Sequence, residues 1–323
     1  MVVKSLIFVI IVNLAMAETV RYGGELFLDG QDARNAGMGG YSVSLAGGRN
    51  PALLFRAQES SVHFSHKNKF AGLSNISSIS YLYHRWIHRH PHLLQSPIYF
   101  NLVNRSVDNI FDTRSAWLDN GYSEPEIGEI DYYKIKNISQ NELGMKVSFM
   151  HKYEAIAIGI SIKPTYVHLA DYSAWGISND IGAIIQLFEK KLDLSLRVED
   201  ILSINKWSTG RSEATIPLIT VGGQIQLASI LLGIEMGSNM MKKAPLYYHA
   251  GFEFHQQNEM VIFRGGISHN NQFSVGIGLN LKMIHIDYAY LVPHPSTPFE
   301  ASQIVSVGIF LEKLNWIKGE ITP

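Results

Sequence analysis

Four histidines crowd one short stretch, His84, His88, His90 and His92, within Tyr83-His84-Arg85-Trp86-Ile87-His88-Arg89-His90-Pro91-His92. Imidazole is a good ligand for zinc, copper or nickel. No carboxylate or fixed ligand spacing accompanies these rings, and Arg85 and Arg89 would repel a cation, so the stretch reads as a solvated loop. His285 and Asp287 lie two apart and share one face of a strand, where an acid and a base could work together. No nucleophile is placed beside them, so they read as polar positions inside a larger structure. Gly37-Met38-Gly39-Gly40 looks like a phosphate loop only superficially, because no Lys-Ser/Thr follows and no strand–helix context surrounds it. The chain has no cysteine, which excludes a thiol nucleophile, a thiolate metal site and a disulfide scaffold. These residues point to no enzyme, no metal site and no cofactor.

The elements that carry them begin with an export signal. Lys4 supplies a positive start, Leu6 to Val12 an apolar core, and Ala15-Met16-Ala17 a small-x-small cleavage site. Residues 1–17 are therefore expected to be a signal peptide. The net charge of -1 suggests no nucleic-acid partner. Hydrophobic residues reach 46% while charged residues make up only 17%, below the usual quarter. Beyond the signal peptide no apolar run is long enough for a transmembrane helix. High apolar content without such a run fits a transmembrane β-barrel, whose apolar residues are diluted by alternation.

Period-two alternation fills the second half of the chain. Leu143, Met145, Val147 and Phe149 oppose Glu142, Gly144, Lys146 and Ser148. Ile156, Ile158, Ile160 and Ile162 follow, and Leu192, Leu194 and Leu196 oppose Asp193, Ser195 and Arg197. Phe273, Val275, Ile277 and Leu279 oppose Ser274, Gly276 and Gly278. Together with weaker early strands near Val62, Ile79 and Ile98, the pattern predicts about fourteen strands of roughly nine to eleven residues, enough to cross a bilayer when tilted. Residues 104–140 read mostly as a long loop, with a short strand near Tyr132 to Lys136, and further polar loops are expected around 171–179, 205–213 and 292–301. A soluble β-sandwich or β-helix also alternates. It does not account for so many similar strands with few charges, nor for aromatics near strand ends such as Tyr247, Tyr288 and Tyr290. The fold class is all-β, a transmembrane up-and-down antiparallel barrel with an N-terminal plug.

The plug is expected over residues 18–55, the barrel over 56–311 and a tail over 312–323. Residues 33–52 hold five of the 27 glycines, and Asn50-Pro51 is a turn signal that pushes Asn50 towards extended backbone. Lys146, Arg197, Glu235, Glu253, Arg264 and Asp287 occupy polar faces. In a barrel they would pair across the lumen or with Arg34 and Arg49 of the plug, since charge on the lipid face is costly. Ile184, Ile262 and Leu82 are apolar lumen candidates.

Phe27-Leu28, Ala33-Arg34, Gly37-Met38-Gly39-Gly40 and Asn50-Pro51-Ala52-Leu53-Leu54 resemble the N-terminal signature of the PorV/PorQ outer-membrane proteins, which sit with the FadL-like barrels. The run Phe263-Arg264-Gly265-Gly266, Phe273 to Leu279 and Ile286-Asp287-Tyr288-Ala289-Tyr290 is similar to that family's last strands. The chain departs from the pattern in two places: Leu53-Leu54-Phe55 replaces the usual Gly-Leu, and residues 312–323 follow the aromatic Phe310. The resemblance implies a bacterial outer-membrane barrel in contact with lipid, with Arg34, Gly37, Gly39, Gly40, Asn50, Pro51 and Ala52 as the plug motif. It implies association with type IX secretion components and secreted cargo, or, on the FadL-like side, uptake of hydrophobic small molecules such as long-chain fatty acids.

Overall fold

Alternating strands solve their hydrogen bonding in a membrane only by closing on themselves, and this chain closes. The computed structural model describes residues 18–20, 25–29, 32–47, 49–57, 59–84, 97–117, 130–240, 245–257, 259–269, 272–293 and 300–313. The expected signal peptide and His88, His90 and His92 lie outside these residues.

A short strand β1 (Glu18–Val20) opens the described chain. The wall begins with β2 (Ser61–Lys69), β3 (Ser74–Tyr83), β4 (Ile98–Asp112), β5 (Lys136–Tyr153), β6 (Ile156–Leu169), β7 (Tyr172–Leu187) and β8 (Leu192–Glu199). A small hairpin, β9 (Ile204–Trp207) and β10 (Ser212–Thr215), interrupts it. The wall resumes with β11 (Leu218–Leu227), β12 (Ile230–Asn239), β13 (Leu246–His255), β14 (Val261–Ser268), β15 (Phe273–Asn280), β16 (Ile284–Leu291) and β17 (Ser302–Phe310). Each wall strand pairs antiparallel with the next, β8 passes over the hairpin to pair with β11, and β17 pairs with β2. The result is a closed barrel of fourteen antiparallel strands.

Its outer wall is apolar. Ile158, Ile234, Phe263 and Val275 are exposed, as a lipid-facing surface requires. Among the described residues no helix is long and apolar enough to cross a membrane. The inner wall is polar, and the expected faces of 142–149 and 192–197 divide in this way: Glu142, Lys146, Asp193 and Arg197 are buried, whereas Leu143, Met145, Leu194 and Leu196 are exposed.

Several expectations from local pattern give way. Residues 172–179, expected as loop, are the first half of β7, paired with β6 from Tyr172 to Asn179. Residues 104–112 continue β4, and Lys136–Gln140 belong to β5, around a register shift between Val107 and Ile110. Tyr132–Lys134 is a 3-10 turn rather than a strand. The segment near 205–213 is the β9–β10 hairpin. In 104–112 the apolar alternation disappears while the ladder continues, and in 172–179 Trp175 and Ile177 still face outward but Ser173 and Asn179 interrupt that face.

The N-terminal segment runs through the lumen. β1 pairs parallel with β10 at the end of the barrel that carries the long connections. Helix α1 (Glu25–Asp29) sets Leu26 and Phe27 in a cluster with Ile76 and Val103. Helix α2 (Ala33–Gly37) packs on β14 to β17, with Ala33 and Ala36 against Ala289 and Ile304. Met38, Tyr41, Val43 and Leu45 then form a cluster with Leu231. A 3-10 turn at Pro51–Arg56 packs on β5, β6 and β7 and leads into β2.

Candidate functional site

The plug is held because its own sequence folds it and because the wall is cut to fit. Asp32 caps α2 by accepting from the Asn35 N–H at 2.8 Å. Gly39 and Gly40 then adopt φ of 74° and 86°, which glycine tolerates and other residues resist. The Asn35 side chain closes this turn by donating to the Tyr41 carbonyl at 3.0 Å. Asn50 is extended, with φ -90° and ψ 112°, as its following proline demands. Its side chain donates to the Val43 carbonyl at 2.6 Å and accepts from the Ala52 N–H at 3.1 Å. The motif Asn50-Pro51-Ala52 thus ties the loop over residues 43–50 to the start of the 3-10 turn.

Missing side chains on the wall make the seats. A Cβ at Gly159 would overlap the Pro51–Ala52 peptide, and one at Gly182 would overlap the Asn50 side chain. Gly251 and Gly266 lie directly under Met38, Gly233 under the Tyr41 ring, and Gly37 against Gly276. Backbone therefore approaches backbone across the lumen, which is the physical use of these glycines.

Charge locks the seats. Glu253 accepts from Arg34 Nε and Nη2, both at 2.8 Å, and from Arg264 Nε at 2.6 Å. Arg264 Nη1 also donates to Asp287 at 2.5 Å, and Asp287 pairs with His285 at 2.7 Å. Glu235 accepts the N–H groups of Ser42 and Val43 at 2.8 and 2.6 Å. Arg197 donates to Ser42 Oγ at 3.0 Å and pairs with Glu199 at 3.0 Å. Lys146 donates to the Arg49 carbonyl at 2.8 Å and pairs with Asp180 at 3.2 Å. Of the six polar lumen candidates, Lys146, Arg197, Glu235 and Glu253 touch the plug, and Arg264 and Asp287 support Glu253 from behind.

Other members of the network escape the sequence pattern. Lys163 is 1% exposed and pairs with Asp180 and Asp200 at 2.6 and 2.8 Å. Glu199 receives Arg49 at 3.3 Å, while Asp193, which the alternation of β8 already placed on a polar face, pairs with Arg56. Asp180 adjoins the stretch expected as loop, and Glu199 ends a strand, so neither stood out. Of the apolar candidates, Ile184 packs beneath Leu53 and Leu54, Ile262 is buried in β14, and Leu82 lies beside the same cluster.

The plug leaves one side of the lumen open. A cavity of about 470 Å³ lies between it and the inner face of β2, β3, β4, β16 and β17. Phe27, Leu53, Leu54, Leu82 and Tyr99 give it apolar surface, and Ser65, Ser78, Ser80 and Ser306 line the wall beside them with short side chains. The cavity exists because serines stand here where long charged residues fill the rest of the lumen. A second cavity of about 230 Å³ lies above α1, near Trp207 and Thr215, and Phe27 lines both. Among the described residues no group of three or more histidines and carboxylates is arranged to hold a metal ion.

The architecture has known counterparts. The toluene transporter TodX of Pseudomonas putida superposes with a TM-score of 0.62 at 11% identity, covering 88% of this chain and 99% of that one. The toluene transporter TbuX of Ralstonia pickettii gives 0.57 at 12%, covering 88% and 99%. A FadL homologue of Pseudomonas aeruginosa gives 0.52 at 10%, covering 86% and 97%. The chain has the fold of the FadL-type outer-membrane barrels. No protein-family model and no curated protein matches the sequence. At these identities the likeness concerns the course of the backbone, and the side chains facing the cavity are this chain's own.

Proposed function

We propose that this protein is an outer-membrane channel that takes up hydrophobic small molecules. The supporting observation is the cavity of about 470 Å³ inside the barrel, half-lined by apolar side chains and bounded on one side by the plug. Its volume lies in the usual range of small-molecule sites. A bare pore would leave the lumen open, and a purely structural barrel would fill it. The solved barrels of the same fold include proteins described as toluene transporters, which favours this reading. Expression in a host deleted for its own hydrophobic-compound channels tests it. Uptake of at least one labelled hydrophobic compound among a hydrocarbon, a fatty acid and a neutral aromatic alcohol should rise severalfold, and an unchanged rate for all three sinks the proposal.

A second reading rests on the stretch Ala33 to Leu54, whose Asn-Pro-Ala-Leu-Leu form resembles PorV/PorQ proteins of type IX secretion. On that reading the barrel serves the surface attachment of exported cargo. Deleting the gene should then reduce cargo display at the cell surface, and intact display rejects this alternative.

A further inference from the structure

The cavity carries a sharper statement about its occupant, one that rests on the uptake reading. Among the described residues five lysines and arginines line it, each paired with a carboxylate, Arg34 with Glu253, Arg49 with Glu199, Arg56 with Asp193, Lys146 with Asp180 and Lys313 with Glu59, while His285 pairs with Asp287 and His63 bonds Ser61. A carboxylate cargo would compete with the carboxylates already holding these cations, and in all but the exposed Lys313–Glu59 pair that partner is buried and resists losing its cation. Asp32 and Asp287 also line the cavity and would repel an anion. The anionic head of a fatty acid therefore has no prepared site here.

A bare hydrocarbon fits the wall no better. Beside the apolar surface stand Ser78, Ser80 and Asn101 on adjacent strands β3 and β4. The Oδ1 atom of Asn101 is buried and has no hydrogen-bond partner. An unsatisfied amide oxygen at the edge of a cavity is costly unless an occupant donates to it. A hydrocarbon would leave the Asn101 oxygen without a donor and cover the serine hydroxyls without bonding them.

We propose that the cavity binds a neutral amphiphile, an apolar body carrying a hydroxyl or similar donor, with the body on Leu53, Leu54 and Tyr99 and the donor at Asn101 and Ser80. The polar wall then selects against both carboxylates and plain hydrocarbons. Recognition of one hydroxyl by this pair is expected to be worth about a tenfold difference in affinity.

The test uses the purified full-length protein in detergent and three probes that share one bicyclic body: 1-naphthol, naphthalene and 1-naphthoate. Equilibrium dialysis against protein-free micelles gives the binding of each. Expected is 1-naphthol at least about tenfold tighter than either relative. Asn101→Leu and, separately, Ser80→Ala should weaken 1-naphthol towards naphthalene without weakening naphthalene itself. Heat-dependent gel migration confirms that each variant is folded. Should Asn101→Leu fail to fold, the probe ranking and Ser80→Ala decide the matter. Naphthalene equal to 1-naphthol, 1-naphthoate the tightest, or 1-naphthol binding unmoved by the folded variants overturns the headgroup assignment and leaves hydrophobic uptake standing. Protein that retains none of the three above the micelle background overturns both.

Discussion

Replacing Gly159 by alanine tests whether the plug is held by the shape of the wall. The added Cβ would lie under 3.0 Å from three backbone atoms of Pro51 and Ala52. Carbon atoms pack at about 3.5–4.0 Å, so the turn at Pro51–Arg56 must retreat by about 1 Å. Backbone cannot swing aside as a flexible side chain can, and overpacking of this kind costs about 1–3 kcal/mol. The strain falls on the plugged state alone, because Gly159 sits within β6, whose ladder to β5 and β7 is unaffected by a methyl directed inward. The ratio of displaced to seated plug should therefore rise about 5- to 150-fold. The absence of cysteine makes this measurable, since one introduced thiol is the only thiol present. Val43 is fully buried, and the Asn50 side chain fastens its carbonyl. A Val43→Cys protein should react slowly with a maleimide, and adding Gly159→Ala should accelerate labelling by that same factor if opening limits access. Ile158→Ala, on the lipid side of the same strand, is the control and should leave the rate within about twofold. Equal labelling of the Gly159→Ala and control proteins would refute the argument that backbone contact seats the plug.

Three further outcomes follow from the same geometry. Glu253→Ala leaves Arg34 and Arg264 without their shared carboxylate and should cost about 3–5 kcal/mol, lowering the thermal midpoint in detergent and speeding thiol labelling at residue 43; an unaltered midpoint contradicts it. Burial pushes the Asp32 carboxyl up to about 6, against the pull of the Asn35 N–H and with help from Asp287. The folded state then favours protonated Asp32, so this residue adds stability below its ordinary value near 3.8, and that stability is lost as pH rises through 6. Asp32→Asn keeps the helix cap and removes the titration, so it should melt higher than the unmodified protein at pH 8, with the gap closing by pH 4; a gap that is independent of pH counts against the assignment. Ile160→Lys places a charge on the lipid face of β6 and should destabilise the inserted barrel by about 2–4 kcal/mol near mid-membrane, read as lost heat-modifiable migration; full retention of the folded band argues that this face is not in lipid.

Much of the barrel was legible because period two is a local property. Leu143 to Phe149 and Phe273 to Leu279 announce both strand and facing, since a strand in lipid has one apolar side wherever it lies in the chain. The same logic failed at 104–112, where the outer face of β4 loses its apolar run, and at 172–179, where Ser173 and Asn179 interrupt the outward-facing Trp175 and Ile177 of β7. The turn at Asn50-Pro51 was also readable, because proline restricts its predecessor without tertiary help.

Pairing was a different matter. Local sequence marks Glu253, Arg264 and Asp287 as inward-facing, but nothing local says that Glu253 meets Arg34, 219 residues away. Strand closure decides that distance, and it also decides which glycines become seats: Gly159 and Gly182 look like any strand glycine until Asn50-Pro51 lies against them. The cavity belongs wholly to the tertiary structure. Ser65, Ser78 and Ser80 come from the neighbouring strands β2 and β3 and Ser306 from β17 near the other end of the chain, and a void is a relation among surfaces that no single segment contains. The sequence by itself determined that this protein is a barrel with a polar inside and a glycine-rich N-terminal segment. Only closure around that segment decided which side of the lumen it fills and which it leaves for a ligand.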